Sequence, residues 1–333
     1  MSAAGPDAEA PGLTAQEAER HARLFERMAN EIDTAVLGKP QVVRLGLVAL
    51  LTGGHILLED VPGLGKTTLA RAIAASVDGS WRRIQFTPDL LPSDVSGVPV
   101  FNQATREFEF HPGPVFANVV IADEVNRASP KTQSALLEVM EEQQVTVDGV
   151  RHPVPDPFLV VATQNPVEMD GTYRLPEAQL DRFLMRLSLG YPDPEAELTL
   201  MRGGRHRRPE ELSPVTDAAG LAEFARAAAH VHVPDQVYEY VLRLAQATRT
   251  HSEIRVGLST RATVVFMRAL RIRGLSVGRP YVTPEDVKEL AVPVWAHRLV
   301  RSTESAVSGR SLTALMHQVL EQEAVPSPVV DRA

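Results

Sequence analysis

The chain has 333 residues, 44% hydrophobic and 23% charged, and carries a net charge of −8. That balance supports a buried core in one large domain or two ordinary ones, and the acidic total argues against a general polyanion-binding surface. The absence of cysteine excludes disulfides, thiolate metal sites and thiol nucleophiles.

Residues 1–13 are rich in Ala, Pro and Glu and read as a disordered tail. Met1 to Arg20 has no basic segment followed by an apolar run, so it does not resemble a secretory leader. From Thr14 to Thr34, Leu24, Phe25, Met28 and Ile32 recur at near-helical spacing, and Thr14 with Glu17 forms a capping-box pattern. A second helix is expected over Gln41 to Leu51. The apolar stretch Val42 to Leu58 is broken by Arg44, Gly53, Gly54 and His55, too interrupted to span a bilayer. A cytoplasmic protein without membrane insertion is the expectation. His55 to Glu59 reads as a buried strand and Lys66 to Val77 as a helix. Arg82–Phe86, Val119–Ala122 and Phe158–Ala162 are further strands. Turns and helical segments separate them, the pattern of an αβα core with a mainly parallel sheet. After Tyr191-Pro192-Asp193-Pro194 the pattern becomes helical. Helices are expected over Glu195–Met201, Ala218–Ala229, Asp235–Thr248, Thr260–Arg273 and Pro284–Val300, the last capped by Thr283. The expected division is a core over 14–194, a smaller all-helical lid over 195–323 and a frayed tail over 324–333.

Three segments carry chemistry. Glu59-Asp60-Val61-Pro62-Gly63-Leu64-Gly65-Lys66-Thr67-Thr68 joins an apolar strand to an amphipathic helix. In such a P-loop, glycines let backbone N–H groups approach phosphates, the lysine reaches the β- and γ-phosphates, and the threonine hydroxyl ligates Mg²⁺. Asp60 stands where the strict pattern has glycine. Val119 to Ala122 then leads into Asp123-Glu124. Strand alternation would send the two acids to opposite faces, Asp123 to the Mg²⁺ shell and Glu124 to the attacking water as general base. Phe158 to Ala162 leads into Thr163-Gln164-Asn165-Pro166, where Asn165 is placed to orient that water.

These residues resemble the AAA+ ATPases, the MoxR branch most of all. The likeness extends through Asp123 to Glu138, Met140-Glu141-Glu142, Ala162 to Pro166, Leu175 to Phe183 and Tyr281 to Val287. The resemblance implies a P-loop NTPase core with a helical lid, ATP and Mg²⁺ as ligands, and ATP hydrolysis. It makes Val36-Leu37-Gly38-Lys39 the lining of the adenine pocket and Asn165 the residue called sensor 1. It makes Arg261, in Gly257 to Ala262, the sensor 2 arginine held against the γ-phosphate by the lid. Arg182 corresponds to an arginine finger offered to a neighbouring subunit. It further implies a homo-oligomeric ring, a hexamer, acting as a chaperone that remodels client proteins or assists cofactor or metal insertion. Those clients include proteins with a von Willebrand factor A domain. The alternative left open is a DNA-associated motor or regulator on the same core; acidic charge and 5% aromatic content weigh against nucleic acid.

Two segments read as hairpin insertions. Pro99 to Phe110 alternates apolar and polar residues, and Gln144 to Val154 contains the turn signal Asp148-Gly149. In related ATPases such hairpins line a central pore. The run Arg202, Arg205, His206, Arg207, Arg208 reads as a solvated loop, and the ten histidines show no metal-ligand spacing.

Overall fold

The computed structural model describes residues 12–61, 63–165, 172–173, 175–202 and 206–326. Most of the two expected tails, together with Pro62, Pro166 and Arg205, lies outside the described residues. Helix α1 (Ala15–Asp33) begins at the Thr14 cap. The Thr14 hydroxyl accepts from the Glu17 N–H while the Glu17 carboxylate accepts from the Thr14 N–H, satisfying two donors that a helix start leaves open. Leu13, placed in the tail from sequence, packs against the main core. Helix α2 (Pro40–Thr52) stops at Gly53, whose left-handed backbone (φ 70°) turns the chain into β1 (Ile56–Glu59).

The core continues through α3 (Lys66–Ser76), β2 (Trp81–Gln85), α4 (Pro92–Ser96) and the hairpin of β3 (Gly97–Asn102) and β4 (Glu107–Pro112). It then runs through β5 (Val119–Asp123), α5 (Pro130–Glu142), the hairpin of β6 (Gln144–Val147) and β7 (Val150–Pro153), β8 (Leu159–Gln164), α6 (Glu177–Leu180) and β9 (Met185–Leu187). Five strands form one parallel sheet in the order β2-β5-β8-β1-β9. The three central strands are apolar up to their carboxyl ends, because both faces are covered there; Glu59, Asp123 and Thr163-Gln164 close them. Alternate residues feed two cores: Ile56, Leu58, Val119, Ile121, Leu159 and Val161 join one cluster. Leu57, Val120, Ala122, Val160 and Ala162 join the other, with Leu136 and Leu137 of α5. At the tip of the β6–β7 hairpin, Asp148 (φ 49°) and Gly149 (φ 79°) both take positive φ, as a tight two-residue turn requires.

Helix α7 (Pro194–Met201) leads to the lid: α8 (Ala218–Ala229), α9 (Asp235–Thr250), β10 (Ile254–Val256), α10 (Thr260–Ser276), α11 (Pro284–Trp295), β11 (Val300–Arg301), α12 (Thr303–Val307) and α13 (Leu312–Gln322). Buried Trp295 packs at a tilt against Phe266 (centroids 4.0 Å apart), and its indole N–H donates to the Ala262 carbonyl at 3.3 Å. That bond fixes the end of α11 to the start of α10. Arg207, from the expected solvated run, pairs with Glu31 of α1 at 2.7 Å.

Three expectations change here. Strand β9 was not anticipated: three residues are too few for alternation to register, and the strand exists because it completes the sheet beside β1. The lid is not all-helical, since β10 and β11 form a small antiparallel ribbon. The last expected helix ends at Trp295 rather than Val300. Its tail tightens into a 3-10 turn over Ala296–Arg298, and Val300 is drawn into the ribbon opposite Val256.

Candidate active site

The P-loop lies where β1 hands over to α3. Gly63 (φ 86°) and Gly65 (φ 91°) both sit in the left-handed region, and a Cβ at either would meet nothing within 4 Å. The loop therefore curls around open space, with the first turn of α3, whose N–H groups a helix start leaves without intrahelical acceptors, beside it. Leu64 is partly buried and packs against the main core, which anchors the loop. The Lys66 ammonium donates to the Asp60 carbonyl at 2.7 Å. Partial burial lowers its pKa, a trend opposed by Asp60, Asp123 and Glu124 nearby.

Asp60 itself has a structural task. Its carboxylate accepts from the Ser188 hydroxyl (2.7 Å) and from the N–H groups of Leu189 (2.6 Å) and Gly190 (3.2 Å). It thereby ties the loop after β1 to the chain leaving β9. A glycine would leave those donors open.

Gly63, Gly65, Lys66, Thr67 and Thr68 line a cleft of about 340 Å³ whose opposite wall is Arg83, Gln85, Asp123, Glu124, Thr163 and Asn165. The three sequence segments thus meet at the carboxyl ends of β1, β5 and β8, where an open α/β sheet places its ligands. Asp123 is nearly buried. Its carboxylate takes Arg83 Nε at 2.6 Å and the Thr163 hydroxyl at 3.2 Å. The placement of Glu124 differs from expectation. Strand alternation does not aim it, because β5 ends at Asp123 and Glu124 takes a left-handed backbone (φ 55°). Its N–H donates to the Thr163 hydroxyl (2.9 Å), and its carboxylate accepts from Gln85 Nε2 (2.9 Å) and Arg127 (3.0 Å). A non-glycine residue in this region costs about 1–2 kcal/mol. Such strain is commonly held where a side chain must be aimed.

The residues fit Mg-ATP chemically. Thr67 and Asp123 offer a hydroxyl and a carboxylate, the hard oxygen donors that Mg²⁺ takes. The glycines leave room for phosphate, and Lys66 supplies a cation.

Two groups of expected site residues do not line this cleft. The cleft lining does not include Val36, Leu37 or Gly38. That turn instead packs against the start of α7; a Cβ on Gly38 would come within 2.9 Å of the Ala196 side chain. Arg261, expected against the γ-phosphate from the lid, stands beside Arg182. Arg261 Nη1 reaches one Glu141 oxygen at 2.6 Å and Arg182 Nη2 the other at 2.9 Å. Those cations hold the Glu141 carboxyl below the usual carboxylate range, Arg261 most strongly. The trio shares a depression with Gly53, Gly54 and His55, at the entry of β1, whereas the P-loop follows its exit. The α10 start carries Arg261 to that side because the lid packs over the entry edge. Four strand residues separate the two places, a distance on the order of 13 Å.

Sequence reasoning did not single out Arg83, Gln85, Thr163, Arg127, Glu141 or His55. Arg127, Glu141 and Thr163 had a signal, their places in the segments that carry the family likeness, while Arg83, Gln85 and His55 had none. His55 is fully buried. Its Nε2 bonds the Met140 carbonyl (3.0 Å), its Nδ1 accepts the Val160 N–H (3.0 Å), and its own carbonyl accepts Leu184 N–H (2.8 Å). The ring thus joins the residue before Glu141 to β8, the backbone carbonyl holds the segment after Arg182, and the ring must be neutral to accept from Val160. Burial pushes its pKa from 6.5 to about 4. A base whose folded pKa is depressed favours the folded state fully above its unfolded pKa and loses that contribution as pH falls. Between pH 6.5 and 4 the loss is on the order of 3 kcal/mol. Buried His297 is shifted in the same direction. The urea midpoint should therefore drop steeply from pH 7 to pH 4.5, and His55→Gln should show a shallower drop. Equal slopes would remove His55 from that account.

The αβα core, P-loop cleft and lid define an AAA-type ATPase. Residues 55–185 match the model of the ATPase family associated with various cellular activities (AAA), and residues 246–317 match the AAA lid domain. The chain is 45% identical over 304 residues to the uncharacterized protein YeaC of Bacillus subtilis, spanning 91% of this chain and 95% of that one. It is 40% identical over 333 residues to Chaperone MoxR1 of Mycobacterium tuberculosis, spanning 97% and 88%. A crystal structure of a Cytophaga hutchinsonii protein described as an ATPase superposes with a TM-score of 0.86 at 38% identity, over 94% and 98%. The chain belongs to the MoxR family of AAA+ ATPases. Among the described residues, no helix is long and apolar enough to cross a membrane.

Proposed function

We propose that this MoxR-type ATPase hydrolyses Mg-ATP at the Lys66 cleft, within a closed ring of identical subunits, a hexamer, and uses the cycle to remodel or mature client proteins. In this reading Lys66, Thr68 and the loop N–H groups hold the phosphates, and Thr67 with Asp123 holds Mg²⁺. The metal, when bound, neutralises phosphate charge as the γ-phosphoryl group leaves. Glu124 takes a proton from the attacking water and Asn165 orients that water. The core would end near residue 194, where the lid begins.

One observation carries the ring: Arg182 and Arg261 are paired on Glu141 at the edge of the sheet remote from their own Lys66. Neither serves the cleft of its own subunit, so both are available to a neighbour's phosphates. A head-to-tail contact of that kind gives a ring when its rotation closes. Client remodelling is supported by the relative named as a chaperone. The resemblance adds cofactor or metal insertion, and clients with a von Willebrand factor A domain.

The test is turnover per subunit against protein concentration, alongside sedimentation, with and without EDTA. Turnover should rise as rings assemble and vanish without Mg²⁺. A turnover that stays constant as rings dissociate would rule out shared sites. Glu124→Gln rings loaded with ATP should retain a client from extract, and its identity decides among the maturation roles.

A further inference from the structure

Arg182 sits in a short turn, Asp181-Arg182-Phe183-Leu184, between α6 and β9. That turn is held by a lid residue. Arg298 closes the 3-10 turn after α11, and its side chain is only 4% exposed. Its Nε donates to the Asp181 carboxylate at 2.8 Å. Nη2 reaches the carbonyls of Asp181 (3.3 Å) and Phe183 (2.8 Å), and Nη1 reaches those of Leu184 (3.0 Å) and Val294. Every N–H of the guanidinium thus has an acceptor, and His297 Nε2 adds a second contact to Phe183 O at 3.0 Å.

Burying a guanidinium is costly unless all its donors are met. Lysine, with a compact ammonium in place of a planar five-donor fork, could not bridge these acceptors. The grip falls on both sides of Arg182 and leaves its side chain free to reach Glu141. The same lid segment is fixed to the Arg261 helix, because Trp295 donates to the carbonyl of Ala262, next to Arg261. We infer that Arg298 is a positioning residue, a strut that locks the Arg182 turn to the lid so that lid rotation moves Arg182 and Arg261 together. This rests on the shared-site reading given above.

A displacement of about 1 Å at a reacting group can cost 10²-fold in rate. Arg298→Gln and Arg298→Lys should therefore lower kcat by about tenfold to 10²-fold while the affinity for ATP changes by less than about threefold. Asp181→Asn removes the charge paired with Arg298 Nε, keeps an amide oxygen there and spares the carbonyl contacts; its loss should be smaller, and it serves if the Arg298 variants do not fold. The deciding experiment mixes each variant with Glu124→Gln subunits, with Arg182→Ala mixed in parallel. Glu124→Gln subunits carry an intact strut and Arg182, so they should restore hydrolysis in a neighbouring Arg298→Gln or Asp181→Asn subunit. If Arg182→Ala is rescued and the strut variants are not, Arg298 acts within its own subunit and the inference is overturned while shared sites stand. If none is rescued, shared sites fail and the strut role fails with them.

Discussion

Glu124→Gln should reduce ATP hydrolysis by about 10²–10⁴-fold, the usual worth of a general base, and leave ATP binding intact. Glutamine has the same shape and can keep the left-handed turn at φ 55° and the N–H bond to Thr163. The capacity to take a proton is lost, together with the charge that pairs with Arg127. Lys66→Ala should behave differently, since Lys66 is the cation on the loop side of the cleft. Its loss should weaken nucleotide binding itself. A fluorescent ATP analogue measures binding, and phosphate release measures turnover. Normal turnover by Glu124→Gln would mean that another group activates water.

Arg182→Ala should lower kcat by about 10³–10⁵-fold, the range known for arginines inserted into a neighbouring phosphoryl-transfer site. Arg261→Ala should fall to a similar level, because the two guanidinium groups share Glu141 and act as one unit. The double variant should then be barely worse than either single one. Multiplicative losses would show two independent roles. Mixing Arg182→Ala with Glu124→Gln subunits should recover part of the activity, since each supplies what the other lacks. No recovery at any ratio would return Arg182 to its own subunit.

The P-loop, the Asp123-Glu124 strand and the Thr163 to Asn165 strand were legible in sequence because their signals are local. Each is an apolar run ending in residues whose chemistry is confined to a few positions. What was not legible depends on how distant segments dock. Helix phase places Arg261 at the start of α10, but only packing decides which edge of the sheet that end meets. Arg83 and Gln85 lie on β2, an edge strand whose Trp81-Arg82-Arg83-Ile84-Gln85 carries little alternation; their importance comes from pairing beside Asp123. Asp60 looked like a flaw in a glycine pattern until Ser188, Leu189 and Gly190 appeared around its carboxylate. Arg298 left no trace at all. A buried arginine after an apolar helix reads the same as an exposed one.

The sheet order has a consequence for how the protein is made. Strand β1, which leads into the phosphate-gripping loop, pairs with residues near Val161 on one side and Met185 on the other. A chain leaving the ribosome carries β1 early and waits more than a hundred residues for either partner. Non-local pairing of this kind slows folding and leaves unpaired edges open to association. A fragment ending before β9 would keep every residue of the cleft yet expose the outer edge of β1, and it should aggregate rather than bind nucleotide.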